Sequence, residues 1–382
     1  MTTSIHLEPA TTAHLNALLN IEYQCFESDR ISKRSFQRFI HSSHADLQIA
    51  IHEGKCVGYA LVLYRRGTSL ARLYSLAVLS QVQHQGVGLA LVKRIQNNAQ
   101  LYGCHFLRLE VDCNNQAAIH LYQKLGFHEI DTLPGYYENG NDGLRMEKPL
   151  QRSAPDYPSR PYYAQTTPFT CGPASLMMAM QALDATHLMT RQQELQIWRE
   201  ATTIYMTSGH GGCAAEGLAL AAWRRGFQVS LFTNTVETPF IDGVRSEDKK
   251  SVLKLVHQTF CEELAQTDVN IYHQALDVNS LFQYLTQGAV ALTLVSTWRL
   301  NRNKAPHWVM VAHADTQHLY LNDPDFDTDR RLTPTDLIQM PITPEEFRAI
   351  SQFGRSRMQA SIVIQCSPKK SVAHSTRAVD LS

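Results

Sequence analysis

Four residues beyond position 160 have the types and spacing that covalent catalysis requires. Cys171, in Thr170-Cys171-Gly172-Pro173-Ala174, begins a stretch whose apolar residues Leu176, Met177, Met180 and Leu183 recur at helical spacing. Its thiol therefore falls at the positive end of a helix dipole, where the reactive thiolate is favoured. Gln165 lies six residues upstream, close enough for its side-chain amide to donate to a developing oxyanion. His307 opens the apolar run His307-Trp308-Val309-Met310-Val311, and Asp323 closes the run that begins at His318. Adjacent antiparallel strands set the start of one beside the end of the next, so His307 and Asp323 are expected to meet. Nucleophile, base, orienting carboxylate and oxyanion donor are the parts a cysteine acyl transfer needs.

The first half carries a different chemistry. The alternating stretch Arg72–Val78 runs into Gln83-His84-Gln85-Gly86-Val87-Gly88 and then into the amphipathic stretch Leu89–Leu101. A strand, a glycine turn and a helix start present free backbone N–H groups that can hold a pyrophosphate, with Gly86 and Gly88 permitting close approach. Taken alone, such a string is more often an ordinary turn, and its neighbours decide.

The elements that position these groups follow from periodicity. Thr12–Asn20 has helical spacing, Leu47–Leu63 reads as two strands joined at Glu53-Gly54, and Phe106–Val111 reads as a strand. Gln116–Leu125 is an expected helix closed by Gly126. Residues 149–161 hold four prolines and no apolar period, which marks a linker. Beyond it come expected helices at Cys171–Leu183, Glu216–Arg225 and Val252–Leu264, then strands at Val290–Val295, His307–Ala312 and His318–Leu321, an order that suggests helices first and sheet later. Polar residues from 367 onward are expected to be disordered. The domains are thus expected at 1–150 and 162–366.

The stretch Leu73–Leu150 resembles the GCN5-related N-acetyltransferases, and within them the ribosomal-protein alanine N-acetyltransferases. The matching residues are Gln83-x-x-Gly86-x-Gly88 and Leu109-Glu110-Val111-Asp112-x-x-Asn115-x-Ala117-Ala118-Ile119-x-Leu121-Tyr122-x-x-Leu125-Gly126-Phe127. The resemblance implies an α/β domain with a mixed central sheet and acetyl-CoA as co-substrate. It implies Leu76, Val78, Gln83, Gly86, Val87 and Gly88 as the acetyl-CoA site, with Asn115 touching the pantetheine arm. It makes Glu110 the carboxylate that takes the amine proton and Tyr122 the acid that reprotonates the departing thiolate. Gly135-Tyr136-Tyr137-Glu138-Asn139-Gly140 is similar to a loop that covers a peptide N-terminus, which would make the acceptor a peptide or protein α-amine. A surface hairpin is the other meaning of that loop.

Beyond the expected linker, Gln165-x5-Cys171-Gly172-x-Ala174, His307-x-Val309-x-Val311 and Asn322-Asp323-Pro324 resemble the papain-like leader peptidases of bacteriocin exporters. That implies an α+β papain-like domain. Between these motifs the sequence departs from the exporters' domains, and no transmembrane or ATPase segment follows. Three uses of the domain stay open: peptide cleavage, noncatalytic recognition of a peptide, and acyl transfer or amide hydrolysis on a nonpeptide.

Composition narrows the partners. The 382 residues hold 35 basic and 35 acidic side chains with no like-charged run, so no nucleic-acid footprint is present. The longest apolar run, near Ala289–Val295, is too short to span a bilayer, and the N-terminal residues lack a signal-peptide pattern; a cytoplasmic protein with no membrane partner is expected. Eight cysteines are scattered with no C-x-x-C pair, so most are expected to be reduced and buried. His210, in Ser208-Gly209-His210-Gly211-Gly212-Cys213, has no second ligand at helical or turn spacing. A substrate-side loop is expected there rather than a metal.

Overall fold

In the computed structural model the chain divides into two compact units, Met1–Pro155 and Asp156–Ser382. The structure describes residues 5–64, 69–150, 161–205, 210–296, 305–326, 334–354 and 356–367. Residues 151–160 of the expected linker and 368–382 of the tail expected to be disordered lie outside the described residues.

The first unit is a seven-stranded mixed sheet. Its strands are β1 (His6–Pro9), β2 (Ala45–His52), β3 (Lys55–Tyr64), β4 (Leu70–Val78), β5 (Phe106–Asp112), β6 (His128–Leu133) and β7 (Gly143–Pro149), in the order β1-β2-β3-β4-β5-β7-β6. Only the β4–β5 pair is parallel. A parallel pair needs a crossover, and the helix that follows the glycine turn supplies it.

The helices are α1 (Leu15–Cys25), α2 (Lys33–Ile40), α3 (Val87–Leu101) and α4 (Gln116–Lys124). On one side of the sheet, Leu91, Val92, Ile95 and Ala99 of α3 join Val62, Leu107 and Leu109 in one core. On the other, Leu18, Ile21 and Phe36 pack on Ile49, Tyr59 and Leu61. The helix expected at Thr12–Asn20 starts later and runs further, because residues 12–14 form a 3₁₀ turn and Leu18 and Ile21 continue the buried face. The expected turn at Glu53-Gly54 is there, with positive φ at both residues (51° and 74°), as a tight hairpin requires.

The second unit is a seven-stranded sheet covered on both faces. Its strands are β8 (Phe227–Thr233), β9 (Asn270–Tyr272), β10 (Val290–Ser296), β11 (Pro306–Ala314), β12 (Leu319–Asn322), β13 (Met340–Ile342) and β14 (Ala360–Cys366), ordered β13-β12-β11-β10-β14-β8-β9. All its pairs are antiparallel except β8–β9. The helices are α5 (Cys171–Leu183), α6 (Arg191–Ala201), α7 (Ala215–Arg224), α8 (Glu247–Leu264), α9 (Val278–Thr286) and α10 (Pro344–Ile350).

Leu292, Leu294, Trp308 and Met310 pack on the side of α5 and α7, while Ala291, Val309 and Val311 pack on the side of α9 and α10. Burial on both faces is why β10 and β11 read as unbroken apolar runs rather than alternating ones. The expected order of helices first and sheet later is corrected. β8 precedes α8, α9 and α10 in the chain, and β9 follows α8, yet the two form one edge of the same sheet, because β14 returns to pair with both β8 and β10. Among the described residues no helix is long and apolar enough to cross a membrane.

Candidate active sites

In the second unit, Cys171 is the first residue of α5, whose first ten residues are all buried. A side chain at Gly172 would meet Leu218 at 3.0 Å, Cys213 at 3.2 Å and Trp308 at 3.3 Å, so glycine is what lets the start of α5 press against α7 and β11. Ser175 Oγ donates to the Trp308 carbonyl at 3.1 Å, tying the same turn to the strand that carries His307.

His307 and Asp323 are both buried, and His307 Nε2 lies 2.6 Å from Asp323 Oδ1. Asp323 Oδ1 also accepts from the Asp325 amide at 2.9 Å. The imidazole faces Cys171 as well. Burial alone would drive it toward neutrality, but the charge of Asp323, the Cys171 sulfur and hydrogen bonds to both outweigh burial and hold His307 well above its ordinary pKa. The structure therefore brings together Cys171, His307 and Asp323.

Gln165 sits beside the Asp323 turn, its backbone N–H donating to the Pro324 carbonyl at 2.9 Å. Its side-chain Nε2 donates to Asp325 Oδ1 at 3.4 Å, and its Oε1 is buried with no partner among the described residues. One N–H of the amide is thus committed to Asp325, unlike the open donor expected from the sequence, and the second remains.

Several neighbours escaped sequence reasoning. Glu194 of α6 is fully buried and accepts from Tyr163, Thr166 and Thr170, all in the segment leading to Cys171. Cys213 lies close to Cys171, and burial first, then the Cys171 charge, push its thiol well up. Tyr162 has a buried hydroxyl without a partner among the described residues, its pKa raised by burial and by Asp323 and Asp325. Of the expected substrate-side loop, residues 206–209 lie outside the described residues; His210 packs on Phe169 at 4.9 Å and Trp198 at 6.1 Å.

In the first unit, Leu61 pairs with Ser75 and Val62 with Leu73, so Tyr74 is an extra residue that bulges β4. The parallel β4–β5 pairing covers only Leu70–Leu73 against Phe106–Leu109. Past the bulge the two strands part, and Leu76 and Val78 lie on the stretch of β4 that pairs with β3 but no longer with β5.

The turn into α3 has His84 at φ 62° and Gly86 at φ 84°. Two left-handed residues in a row of three turn the backbone into a concavity. Gly86, the N-cap of α3, offers no side-chain cap, and a Cβ on it would meet nothing within 4 Å. Val87 and Gly88 start α3, so their N–H groups belong to the uncapped first turn. Gln83 Nε2 donates to the Val78 carbonyl at 3.2 Å and so fastens the turn to β4. An open, uncapped helix start beside a parted strand fits the pyrophosphate and pantetheine of acetyl-CoA. Asn115 caps α4, its Oδ1 accepting from the Ala118 amide at 3.1 Å, which leaves its amide nitrogen as a donor.

The Glu110 carboxylate is held by two cations. Arg72 Nε reaches Oε2 at 2.7 Å and Arg145 Nε reaches Oε1 at 3.1 Å. Each oxygen keeps a further lone pair with which to take a proton from an amine. Tyr122 is buried and packs edge-on against Phe127 at 5.7 Å; burial raises its pKa, so the phenol stays protonated.

A second carboxylate was missed. Glu22 of α1 is buried, accepts from the Tyr59 hydroxyl and takes the Ile31 amide at 3.0 Å. Tyr59 in turn lies 2.8 Å from Ser75 Oγ, one residue past the bulge. Burial pushes the Glu22 carboxyl up, against the lowering effects of Tyr59, the Ile31 amide and Arg30. The loop 135–140 reaches both sides of this region. Arg72 donates to the Tyr136 hydroxyl at 2.5 Å, and Glu138 Oε2 accepts from the Asp29 amide at 3.3 Å.

Comparison with known proteins agrees with this two-part arrangement. Residues 160–365 match the family described as Peptidase_C39 like, and residues 15–127 match the acetyltransferase (GNAT) family. An N-alpha-acetyltransferase of Sulfurisphaera tokodaii is 32% identical over 126 residues, covering 30% of this chain and 75% of that protein. The N-alpha-acetyltransferase MAK3 of Arabidopsis thaliana is 32% identical over 120 residues, covering 31% of this chain and 62%, less than two thirds, of that protein. Among solved structures, the ribosomal-protein-S18-alanine N-acetyltransferase from Escherichia coli is 26% identical, with a TM-score of 0.36 over 40% of this chain and 98% of that one.

Proposed function

Because the chain belongs to the GNAT acetyltransferases and to the Peptidase_C39 like family, we propose that it acetylates peptide or protein N-terminal α-amines and cleaves peptides. Acetyl-CoA is the co-substrate of the first activity and supplies the acetyl group as a thioester.

The observation that carries the first activity is the parting of β4 from β5 beside an uncapped glycine turn. Gly86, Val87 and Gly88 hold the pyrophosphate on backbone N–H groups; Leu76 and Val78 line the acyl arm, and Asn115 donates to it. Glu110 takes the amine proton, directly or through water, and Tyr122 returns one to the thiolate. A second reading of the proton acceptor is Glu22, favoured by the raised pKa that burial gives its carboxyl; a base is most effective when its pKa approaches the working pH. The ties from the 135–140 loop to Arg72 and Asp29 favour a cover over a peptide terminus rather than a loose hairpin.

The observation that carries the second activity is one buried imidazole facing both a carboxylate and a helix-start thiol. In the papain-like reading, Cys171 is the nucleophile, His307 its base and later the acid for the departing amine, Asp323 the group that fixes the imidazole, and Gln165 an oxyanion donor through its second N–H. Noncatalytic peptide recognition explains this arrangement less well, since binding has no need of a buried carboxylate behind the histidine. Mass spectrometry of a peptide mixture incubated with the protein, with and without acetyl-CoA, tests both halves. Acetylated α-amines that appear only with acetyl-CoA, and new termini that disappear in Cys171→Ala, are the expected result. Absence of either product removes the corresponding half.

A further inference from the structure

Glu194 has no exposed surface, and four donors end on it: Thr166 N at 2.8 Å, Thr166 Oγ1 at 2.7 Å, Tyr163 Oη at 3.0 Å and Thr170 Oγ1 at 2.5 Å. All four belong to the short segment that carries Gln165 and ends at Cys171. A buried carboxylate is costly without such donors, so the four bonds select one arrangement of that segment.

Thr170 is the N-cap of α5. A threonine there ordinarily accepts, through its hydroxyl, from the N–H two or three residues on. Here no such bond forms. The third helical residue is Pro173, which has no N–H, and the hydroxyl instead meets Glu194 Oε1 at 2.5 Å, with Thr167 Oγ1 at 2.9 Å and the Thr167 carbonyl at 3.0 Å beside it. The N–H groups of Cys171 and Gly172 are left without an acceptor among the described residues.

We infer that Glu194 is a positioning residue for acyl transfer to Cys171. By anchoring Thr170 at the helix start and Thr166 beside Gln165, it fixes the Cys171 N–H and the Gln165 amide in place as paired donors to the oxyanion. The inference rests on the reading of Cys171 as nucleophile, and the test separates the two.

Two probes act on the full chain. Iodoacetamide alkylates a thiolate without forming an oxyanion. p-Nitrophenyl acetate does form one: the sulfur attacks the ester carbonyl, the bond to p-nitrophenolate breaks, and the acetyl group stays on sulfur as a thioester. Both are read by mass spectrometry of the Cys171 peptide. Glu194→Gln keeps the shape but places N–H groups where Thr166 and Thr170 donate. Its acylation is expected to fall about 10²-fold while alkylation changes no more than about threefold, since only the first uses the donors. Thr170→Val removes a single hydroxyl and is expected to lower acylation about tenfold, with Thr170→Ser restoring it; this pair decides if Glu194→Gln does not fold. An unchanged ratio of acylation to alkylation in the folded variants, with wild-type Cys171 reactive to both probes, overturns the role of Glu194. A wild-type Cys171 no more reactive than Cys261 toward either probe overturns the nucleophile reading itself.

Discussion

His307 Nε2 and Asp323 Oδ1 lie 2.6 Å apart in a buried setting, on β11 and just after β12, sixteen residues apart in the chain. The bond leaves the other ring nitrogen for Cys171 and holds the imidazole in one orientation. Iodoacetamide is therefore expected to label Cys171 ahead of the other seven cysteines at about pH 6 to 7, where ordinary thiols with pKa of about 8.5 are protonated. His307→Ala should slow the labelling, and Asp323→Asn should lower peptide turnover more than labelling, because its task is to hold the ring. Equal labelling of Cys171 and exposed Cys261 would contradict this.

The same bond makes stability depend on pH. His307 gains partners on folding, so its pKa in the folded chain lies above the unfolded value of about 6.5. The stabilisation is complete below the unfolded value and is lost as pH rises through the raised one. The facing groups are Asp323 and Cys171, with Asp325 held to Asp323 through its amide. The difference in melting temperature between wild type and His307→Gln is accordingly expected to be widest at about pH 6 and to shrink toward alkaline pH. Thermal scans giving a constant difference would show that His307 does not titrate on folding.

For the acetyl-CoA turn, Gly86 and Gly88 fail for different reasons. Gly86 sits at φ 84° in open space, so a side chain there strains the backbone and fills the concavity; a Cβ on Gly88 would lie 3.5 Å from Leu121, so a larger group collides with α4. Gly86→Val and Gly88→Val are each expected to weaken acetyl-CoA binding by about tenfold or more, with the fold retained by circular dichroism. Calorimetry that finds both affinities unchanged removes the pyrophosphate assignment.

Glu110 and Glu22 are separable by substitution. If Glu110 accepts the amine proton, Glu110→Gln lowers kcat by about 10²-fold with acetyl-CoA affinity little changed, and Glu22→Gln does much less. If Glu22 is the acceptor, the effects exchange. The acidic limb of the wild-type pH profile then reports a carboxyl raised above its ordinary range, since the base works only when deprotonated and activity falls as pH drops through that value. Tyr122→Phe is expected to lower kcat in either case. Full activity in all three variants would place the proton chemistry elsewhere.

The sequence by itself determined the parts whose signal is local. The stretch Arg72 to Leu101 announced a strand, a turn and a helix because glycine spacing and apolar period are written in consecutive residues, and β4 and α3 are found there. Cys171 at a helix start and His307 at the head of a strand were legible for the same reason. Ser32 and Thr190, which cap α2 and α6, were equally local signals for helices that went unread. Only the tertiary structure could decide which polar groups pair. The bulge at Tyr74 depends on the register of β3 against β4. The commitment of Glu110 to Arg72 and Arg145 depends on β4 and β7 flanking β5. Glu194 reads in sequence as one more acidic residue on a helix; it becomes a buried acceptor because α6 packs against the segment before α5, and a hydrogen bond between residues 24 apart leaves no periodic trace in the chain.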